Sequence, residues 1–563
     1  MNRISMGRKI QSNLLLIIGF IFTIIPITGV FVFDRPLSTS QSLKFTDENQ
    51  DVLAGTYYQG FQPFGVILLE GFGSDQVTMT SLAREFVRND WHVFTFDFSG
   101  HGRSSGILTF DNASTDRLAN QTLTAIQEFK RISGLSDDGI FLLGHSLGAR
   151  VALQTATINP EVAGLILLGT QVNLSTNIQS EFFTGISDND LLWIQSLDSD
   201  NPAVPILLIS GAWDDILTPS NAELLFSKLT GGDYDHQNGE FSSRNLGNLH
   251  RQLKILPKLV HNYEPFSSTV IEEINVWLRN QYKVDIIDSH LPAIRIWSWI
   301  ISLTGVFLLL VVFRKKFFDE EGISQKPSSE ITNLRSFFWG KILLWLGSLP
   351  VAAILGSIFF FIPLGKPVLN LIYVCFIGGY GILLFILYKW GKMPGVQGKL
   401  ILKSTKSLNL DIPASVPQKK LKRILLTLGL TVAILTFTAA YTRTGWFYVF
   451  PINLRLIWLL IFTPFTALGF WIGLRESEML SKKGGTQLAQ MLIGLFPFFL
   501  YTILMAALGS LSGMIGGLQG LVILWLVLTF GNLIQAISHR PWLTATCMAI
   551  LLYWLILPQG VLF

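Results

Sequence analysis

Residues 139–150 combine the residue types that a serine nucleophile requires. An apolar run leads into Gly-His-Ser-Leu-Gly around Ser146, and small residues at helical spacing follow. A serine on a tight strand-to-helix turn exposes its hydroxyl, and glycines on either side let the strand and the helix approach closely. The amide of Leu147, at the start of the predicted helix, would face an oxyanion on a carbonyl that Ser146 attacks. Short matches of this kind also arise by chance, so the interpretation depends on the elements around Ser146.

Composition divides the chain into a soluble-type part and a membrane-type part. Of its 563 residues, 50% are hydrophobic and 14% are charged, with a mean hydropathy of +0.45, against roughly 25% charged residues in ordinary chains. The deficit is concentrated after Ser336, where the acidic residues are Asp411, Glu476 and Glu478. The net charge of +4 is modest, and basic residues of the membrane-type part lie mostly between apolar runs. We therefore expect membrane lipids, and not nucleic acid, around this part.

Between about residues 52 and 283, short apolar runs alternate with amphipathic helical patterns. The predicted strands are 66–70, 92–98, 139–145, 164–169, 205–210 and 253–261, and the predicted helices are 79–89, 116–132, 147–157, 221–228 and 267–281. Near-continuous apolar strands separated by helices indicate a sheet that is covered on both faces. The predicted fold is α/β, a doubly wound and mostly parallel sheet, with Ser146 directly after its third predicted strand.

Apolar runs predict nine membrane spans, at 13–33, 294–313, 337–362, 368–388, 424–441, 456–474, 488–508, 518–534 and 543–557. The first is longer than the roughly 7–15-residue core of a cleaved signal peptide, which favours an uncleaved anchor. Basic residues concentrate in the loops 314–316 and 389–423, which the positive-inside rule assigns to the cytoplasm. This threading places the N-terminus in the cytoplasm. The predicted organisation is an anchor helix at 1–33, an extracytoplasmic α/β domain at 34–291 and an all-α transmembrane domain of about eight helices at 292–563, all in a cell membrane.

The predicted spans carry few polar signals of their own. None of the nine runs contains Asp, Glu or His, and this disfavours ion-coupled transport. Lys341 lies near the end of a predicted span, where its long side chain is expected to extend to the interface. The purpose of so many spans is left open.

Residues 52–283 resemble the α/β-hydrolase family, in particular its monoglyceride-lipase and serine-aminopeptidase-like branch. Besides the turn at Ser146, the motifs DFSGHGRS at 97–104, GAWDDILTP at 211–219 and a histidine at the end of the last predicted strand carry this resemblance. The family's chain order implies Ser146 as nucleophile, Asp214 as the acid and His261 as the base. Asp215 is the alternative acid at the same turn.

The resemblance also implies an oxyanion loop at LLEGFGSD, residues 68–75. Glu70 stands where the family usually has histidine, but the donor in such loops is a backbone amide, here that of Phe72, acting together with Leu147. His101 and His145 are expected to be structural, and His236 and His250 are weaker candidates for the base.

Other chemistries lack their sequence signals. The chain has no HExxH, EF-hand or P-loop motif, so we expect neither a metal site nor a cofactor. Cys375 and Cys547 lie in apolar runs, so the α/β part has no thiol for a disulfide or for catalysis. The family's lid would lie at 170–202, where apolar residues either cover a sheet edge or form an acyl pocket.

The resemblance implies a membrane-bound serine hydrolase that cleaves carboxylic esters through a Ser-His-Asp triad and an acyl-enzyme. Short tethers to the spans would hold the active site near the bilayer, which favours lipid or acyl esters as substrates. Two alternatives stay open: an acyltransferase with the same triad, and a transporter or membrane scaffold with a hydrolase-like sensor domain. The expected partners are a small-molecule or lipid ester and membrane lipids, with the oligomeric state open.

Overall fold

The computed structural model describes residues 2–109, 114–170, 172, 193–232, 235–237, 241–246, 249–287, 330–398, 416–443, 450–480 and 486–563, with scattered positions between 297 and 312. The strands of its main sheet are β1 Gln41–Thr46, β2 Val52–Tyr58, β3 Gly65–Leu69, β4 His92–Phe96, β5 Ile140–His145, β6 Gly164–Leu168, β7 Ile206–Gly211, β8 Asp235–Gln237, β9 Phe241–Leu246 and β10 Leu249–Leu256. These ten strands lie in the order β1-β2-β4-β3-β5-β6-β7-β10-β9-β8.

The centre of the sheet is parallel and its edges are antiparallel. Strands β4, β3, β5, β6, β7 and β10 run in one direction, whereas β1 and β2 at one edge and β8 and β9 at the other pair antiparallel. Every residue of β3, β5 and β6 is buried, as expected for parallel strands covered on both faces. The predicted α/β class is confirmed. The antiparallel edge strands were not predicted, because they lack the continuous apolar runs of the centre.

Helices cover both faces of the sheet. The covering helices are α2 Thr80–Arg88, α3 Ser114–Ser133, α4 Leu147–Ile158, α5 Pro219–Thr230 and α6 Ser268–Tyr282, and the helix α1 Asn2–Phe33 precedes the sheet. Side chains alternate between the faces along a strand: Val66 and Leu68 of β3 join the apolar layer under α2 and α6, and Ile67 and Leu69 join the layer under α3, α4 and α5. The reaction centre lies where these layers meet the carboxyl edge of the sheet.

The second half of the chain is helical. Its helices are α7 Leu334–Gly347, α8 Leu349–Phe360, α9 Val368–Tyr373, α10 Gly379–Trp390, α11 Val416–Arg443, α12 Leu454–Leu480, α13 Thr486–Ala507, α14 Leu511–Ser538 and α15 Pro541–Ile556. A π-helical turn joins α9 to α10.

Five helical segments within the described residues are long and apolar enough to cross a bilayer: Asn13–Phe33, Asn370–Trp390, Leu454–Leu480, Leu511–Ser538 and Pro541–Gln559. Helices α7 and α8 meet at a bend of 40° and make a sixth if they form one span. The predicted spans 424–441 and 488–508 fall in α11 and α13, which are only partly described. The span 294–313 lies largely outside the described residues. The number nine therefore stays a prediction, and the described residues contain five or six segments of spanning length and composition.

The prediction that the side chain of Lys341 extends to the interface was wrong. Helix α12 extends past the apolar run to Leu480 and so includes Glu476. Lys341 does not reach an interface; it is buried and forms an ion pair with Glu476. The two residues are far apart in sequence, and only the packing of α7 against the rest of the bundle brings them together.

The helical part packs against the carboxyl edge of the sheet. Gly100 and Leu108, in the loop after β4, pair with Leu562 through backbone hydrogen bonds of 2.9 and 2.7 Å. Val561 lies in the apolar layer under α3 and α4. From the start of α12, the buried Arg455 donates to the carbonyls of Gly100 at 2.7 Å, Gly102 at 3.1 Å and Gly560 at 3.0 Å. The loop that follows β4 is thus held by the membrane-type part of the chain.

Candidate active site

Ser146 lies on a strained turn between β5 and α4. Its backbone has φ 55° and ψ −114°, a conformation that costs free energy for a residue with a side chain. The turn is close-packed: a Cβ on Gly144 would lie 2.2 Å from the backbone of Gly148, and a Cβ on Gly148 would lie 2.3 Å from the carbonyl oxygen of Leu69. The amide of Ser146 donates to the carbonyl of Leu168 at 2.8 Å. Both glycines are therefore required to place the serine.

The structure brings Ser146, His261 and Asp214 together. His261 Nε2 lies 3.0 Å from Ser146 Oγ, and His261 Nδ1 lies 2.7 Å from Asp214 Oδ2. All three side chains are buried. They follow β5, β7 and β10, whose carboxyl ends meet at one edge because the strands are parallel. The sequence predicted that His261 ends the last strand, but His261 begins a short 3₁₀ turn five residues after the end of β10.

The two adjacent acids of the turn after β7 point in different directions. Asp214 Oδ1 accepts the amides of Ile216 at 2.9 Å and Leu217 at 2.7 Å, which leaves Oδ2 for His261. Asp215 contacts the start of α14 instead. Its carboxylate accepts the hydroxyls of Ser510 at 2.8 Å and Ser512 at 2.6 Å. The geometry favours Asp214 over the alternative.

A second buried carboxyl lies beside the histidine. Glu264, one 3₁₀ turn after His261, accepts the amide of Gly211 at 2.9 Å. Burial, and then the negative charge of Asp214, raise the pKa of Glu264 well above its ordinary value, which favours the protonated, neutral form of this carboxyl. Sequence reasoning missed Glu264, and its spacing of three residues from the predicted base was the available signal.

His145 has a structural position. Its Nε2–H donates to the carbonyl of His261 at 3.0 Å, and its ring lies 4.8 Å from the His261 ring. Burial, followed by the neighbouring His261, lowers the pKa of His145 to about 3. The neutral ring holds the backbone of His261, as expected for a histidine outside the catalytic group.

The predicted oxyanion loop follows β3 and lies next to the nucleophile. A Cβ on Gly71 would come within 3.2 Å of Ser146 Cβ, which places the backbone of this loop against the serine. Glu70 accepts the amide of Phe98 at 2.8 Å, and burial followed by Asp97 raises its pKa well above the ordinary value. A neutral carboxyl thus takes the family's histidine position. Leu147 is the first residue of α4, so its N–H has no partner within the helix.

His101 braces a turn and does not reach the triad. It lies in the loop after β4, where Asp97 accepts the amides of Gln76 and Arg103 at 2.8 Å each. Burial lowers the pKa of His101 to about 3. Its ring packs against Phe72, whose other neighbour is Phe563 of the helical part. The loop of Phe72 therefore rests on groups that come from both halves of the chain.

The predicted lid is described only in part, and a group of possible metal ligands shares His261 with the triad. Most of the expected lid, residues 173–192, lies outside the described residues; Ile194 joins the apolar layer of the α/β part, and Trp193 packs against it. His145, His261 and Glu264 form one group of possible metal ligands, within 4.8 Å of one another. Both ring nitrogens of His261 already face Ser146 and Asp214, so this group is part of the site just described.

A mostly parallel sheet in this order, with a nucleophile turn after β5, defines the α/β-hydrolase fold. Residues 64–191 match the family described as serine aminopeptidase, S33. The predicted resemblance is thereby confirmed over this segment, which includes Ser146 and the loop of Phe72.

Curated relatives match a similar segment. Protein phosphatase methylesterase 1 of Candida albicans is 35% identical over 117 residues, 20% of this chain and 31% of that protein. Human monoglyceride lipase is 31% identical over 148 residues, 24% of this chain and 47% of the lipase. The chain thus spans less than half the length of these relatives.

Solved structures align over the α/β part. A Pyrococcus furiosus esterase has 16% identity and a TM-score of 0.35, with 44% of this chain and 93% of the esterase covered. A Paleococcus ferrophilus monoacylglycerol lipase has 16% identity and a TM-score of 0.32, with 41% of this chain and 99% of the lipase covered.

Proposed function

We propose that this chain is a membrane-associated serine hydrolase that cleaves carboxylic esters, with Ser146 as nucleophile, His261 as base and Asp214 as acid. The observation that carries the proposal is the continuous contact from Ser146 Oγ through His261 to Asp214, at 3.0 and 2.7 Å. A hydroxyl is a weak nucleophile at neutral pH, and a base within hydrogen-bonding reach activates it. The esterase and lipase relatives support the same class of reaction.

In the proposed first half-reaction, Ser146 Oγ attacks the ester carbonyl while its proton passes to His261 Nε2. Asp214 accepts the hydrogen bond from Nδ1–H, which selects the tautomer and stabilises the imidazolium. The amides of Phe72 and Leu147 would hold the oxyanion. Collapse of the tetrahedral intermediate breaks the ester bond, and the alcohol leaves with the proton from His261.

In the second half-reaction, water attacks the acyl-Ser146 carbonyl and gives its proton to His261. The acid is released, and the proton returns to Ser146 Oγ. Neutral Glu264 and His145 fit this cycle, because neither adds a charge that would compete with Asp214 for the imidazolium.

For the substrate we propose esters of lipids or of acyl chains. The carboxyl edge of the sheet, where Ser146 lies, is the edge that meets the helical part, through Arg455, Leu562 and the start of α14. Among the described residues, five apolar helical segments of spanning length precede or follow the sheet. An ester in the bilayer would be concentrated next to the site, as a tethered reactant is.

The test is covalent labelling of the full chain with a fluorophosphonate probe, with turnover of a short p-nitrophenyl ester measured in parallel. Ser146→Ala should abolish labelling and lower kcat by at least about a thousandfold. Ser220→Ala, an exposed serine at the start of α5, is the matched control and should react like wild type. Equal labelling of Ser146→Ala and wild type would overturn the proposal. Product analysis with added glycerol distinguishes free acid from a new ester, and so separates hydrolysis from acyl transfer.

A further inference from the structure

We propose that the helical part contains a second, separate binding site, which takes a single-chain lipid with an uncharged, hydroxyl-bearing headgroup. The site is a cavity of about 310 Å³ between six helices, and its wall includes Lys341, which forms a buried ion pair with Glu476. Glu476 lies 21 residues after Arg455 along α12, which is about 30 Å at the rise of an α-helix. Since Arg455 contacts the loop beside the active site, the cavity lies at the far end of the bundle from Ser146.

Lys341 and Tyr380 of the cavity wall belong to a paired polar cluster. Lys341 of α7 forms an ion pair with Glu476 of α12, and their exposed fractions are 4% and 0%. Tyr388 donates its hydroxyl to the other oxygen of Glu476 at 2.8 Å, and Tyr380 donates to the carbonyl of Lys341 at 3.1 Å. Burying two charges within a span is costly even when they are paired, and such groups mark functional sites in membrane proteins. Packing alone would be satisfied more cheaply by apolar residues.

The rest of the wall is apolar and has room in it. A Cβ added to Gly473 of α12 or to Gly494 of α13 would meet no atom within 4 Å, so both glycines open onto space. Ser477 and Asn532 add polar side chains to the wall, and the rest of the lining includes the aromatic and aliphatic side chains of Trp345, Phe470, Leu474, Leu524, Leu528 and Met548. A polar cluster and an apolar chamber together match an amphiphile.

Charge and volume define the ligand class. The cation of Lys341 is already neutralised by Glu476, so an anionic headgroup would bring a second negative charge to one cation in a medium of low dielectric constant. Hydroxyl groups can form hydrogen bonds with Ser477, Asn532 and Lys341 without adding charge. The volume is at the lower end of the roughly 300–1,000 Å³ of small-molecule pockets, which suits one acyl chain and not two.

The experiment uses the full chain in detergent micelles, with Ser146→Ala as the background so that no lipid is hydrolysed. A monoacylglycerol with a diazirine in its acyl chain is the photoreactive probe, and peptide mapping locates the adduct. We expect adducts on α12, α14 and α15 at Leu474, Leu524 or Met548. Because the background lacks the nucleophile, lipid binding is measured whether or not Ser146 proves to be reactive.

Two substitutions of the same kind provide the contrast. Gly473→Leu fills the cavity and should reduce the mapped adduct at least tenfold. Gly429→Leu is the matched control, because a Cβ at Gly429 of α11 also meets nothing within 4 Å but this residue lies outside the cavity wall; it should keep the adduct. Leu528→Trp fills the cavity from α14 and replaces Gly473→Leu if that variant is not monodisperse.

The position of the adducts tests the site, and the competition experiment tests the ligand class. Adducts that persist in both filling variants, or that map outside the cavity wall, overturn the site. Competition by unlabelled monoacylglycerol, with the fatty acid of equal chain length at least tenfold weaker, supports an uncharged headgroup; the reverse order overturns the ligand class. In the same experiment, Asn532→Leu should reduce the preference for the hydroxylated lipid while keeping the acyl chain bound.

Discussion

At the scale of single residues, the sequence predicted Asp214 as the acid and left its neighbour Asp215 as the alternative. The turn after β7 separates them: Asp214 faces His261, and Asp215 faces Ser510 and Ser512. Motif spacing identifies such a turn, but which of two adjacent carboxylates faces inward depends on the backbone path. The spacing of Glu264 from His261 could have drawn attention to this residue, but only the folded chain shows that Gly211 is its partner.

Substituting these acids one at a time should separate their roles. Asp214→Asn should lower kcat for a soluble ester by about 10³–10⁴-fold, because the amide can hold His261 in the wrong tautomer. Asp215→Asn should keep kcat within about tenfold of wild type, because Asp215 does not contact His261. Steady-state kinetics with both variants checks this. Equal losses of kcat would show that Asp215 also serves the base.

The neutral carboxyl of Glu264 should affect the pH dependence of stability. In the unfolded chain a glutamate ionises near pH ~4.3, whereas burial and Asp214 raise the pKa of Glu264 in the folded chain. The folded state therefore binds the extra proton, and the contribution of Glu264 to stability is present at low pH and is lost as the pH rises from about 4.3 through the folded pKa.

Glu264→Gln removes this loss, because glutamine stays neutral and keeps an oxygen for the amide of Gly211. The thermal midpoint of the variant should exceed that of wild type by a few degrees at pH 8 and by less at pH 5. The free energy of unfolding rises by roughly 1.4 kcal/mol for each unit by which the pKa of Glu264 is raised. Thermal unfolding of the full chain at both values measures it. Glu272→Gln, on the exposed face of α6, is the control and should show no such difference. A variant that is destabilised equally at both pH values would contradict the expectation.

At the scale of elements, the pattern of hydrophobic residues predicted the strands that consist of continuous apolar runs. The central strands β3 to β7 and the helices between them were found within a few residues. The antiparallel strands β1, β2, β8 and β9 on the two sides of the sheet were missed, because they lack the continuous apolar runs of the centre. Helix α12 was predicted to end at 474 but continues to Leu480, since Glu476 is accommodated by Lys341 and not by water.

The start of α14 offers a test of contact between elements. Asp215 accepts the amide of Ser512 at 3.2 Å as well as the hydroxyls of Ser510 and Ser512. An anion at a helix N-terminus satisfies N–H groups that lack partners and interacts favourably with the helix dipole. The contact joins a loop of the sheet to a 28-residue apolar helix.

Asp215→Asn and Ser512→Ala should each reduce the free energy of unfolding by about 1 kcal/mol. The double variant should lose less than the sum, because both substitutions remove one interaction. Thermal midpoints of the four proteins complete the cycle, with the exposed Asp200→Asn as a control for charge alone. Additive losses would indicate that the two residues act independently.

At the scale of the whole molecule, the two parts of the chain meet at one edge of the sheet. Arg455 is fully buried there and donates to three carbonyls, those of Gly100, Gly102 and Gly560. Guanidinium groups have several donors in a fixed plane, whereas an ammonium is a single point charge. No motif indicated this contact, because Arg455 and Gly100 are distant in sequence.

Arg455→Lys should therefore lower the thermal midpoint of the full chain by several degrees and reduce kcat, because the loop it holds supports Phe72 through His101. Arg475→Lys, near the other end of the same helix, keeps its charge beside Glu478 and is the control. Unchanged stability and turnover in Arg455→Lys would show that the contact does not position the loop.

The helix ends that contact the sheet are all ends that the positive-inside rule assigns to the side of the membrane predicted for the α/β part. The starts of α12 and α14 and the end of α15 all lie on the sheet's side, and these are the ends that the positive-inside rule assigned outside the cytoplasm. The orientation itself stays a prediction. Ser220→Cys, in α5, should react with a membrane-impermeant maleimide in intact cells, and Lys392→Cys, after α10, only after permeabilisation. The native Cys375 and Cys547 are buried. The opposite pattern of labelling would reverse the topology.

The packing of Val561 into the core beneath α3 and α4 has a practical consequence for biochemistry. A fragment restricted to residues 34–291 would lose Val561 from its apolar layer, and the carbonyls of Gly100 and Gly102 would lose the donor that Arg455 supplies. Without the helical part, the apolar layer that Val561 covers would be exposed to water, and an exposed apolar patch promotes aggregation. Such a fragment should express poorly or aggregate, so enzymology of this protein belongs with the intact chain in detergent or lipid.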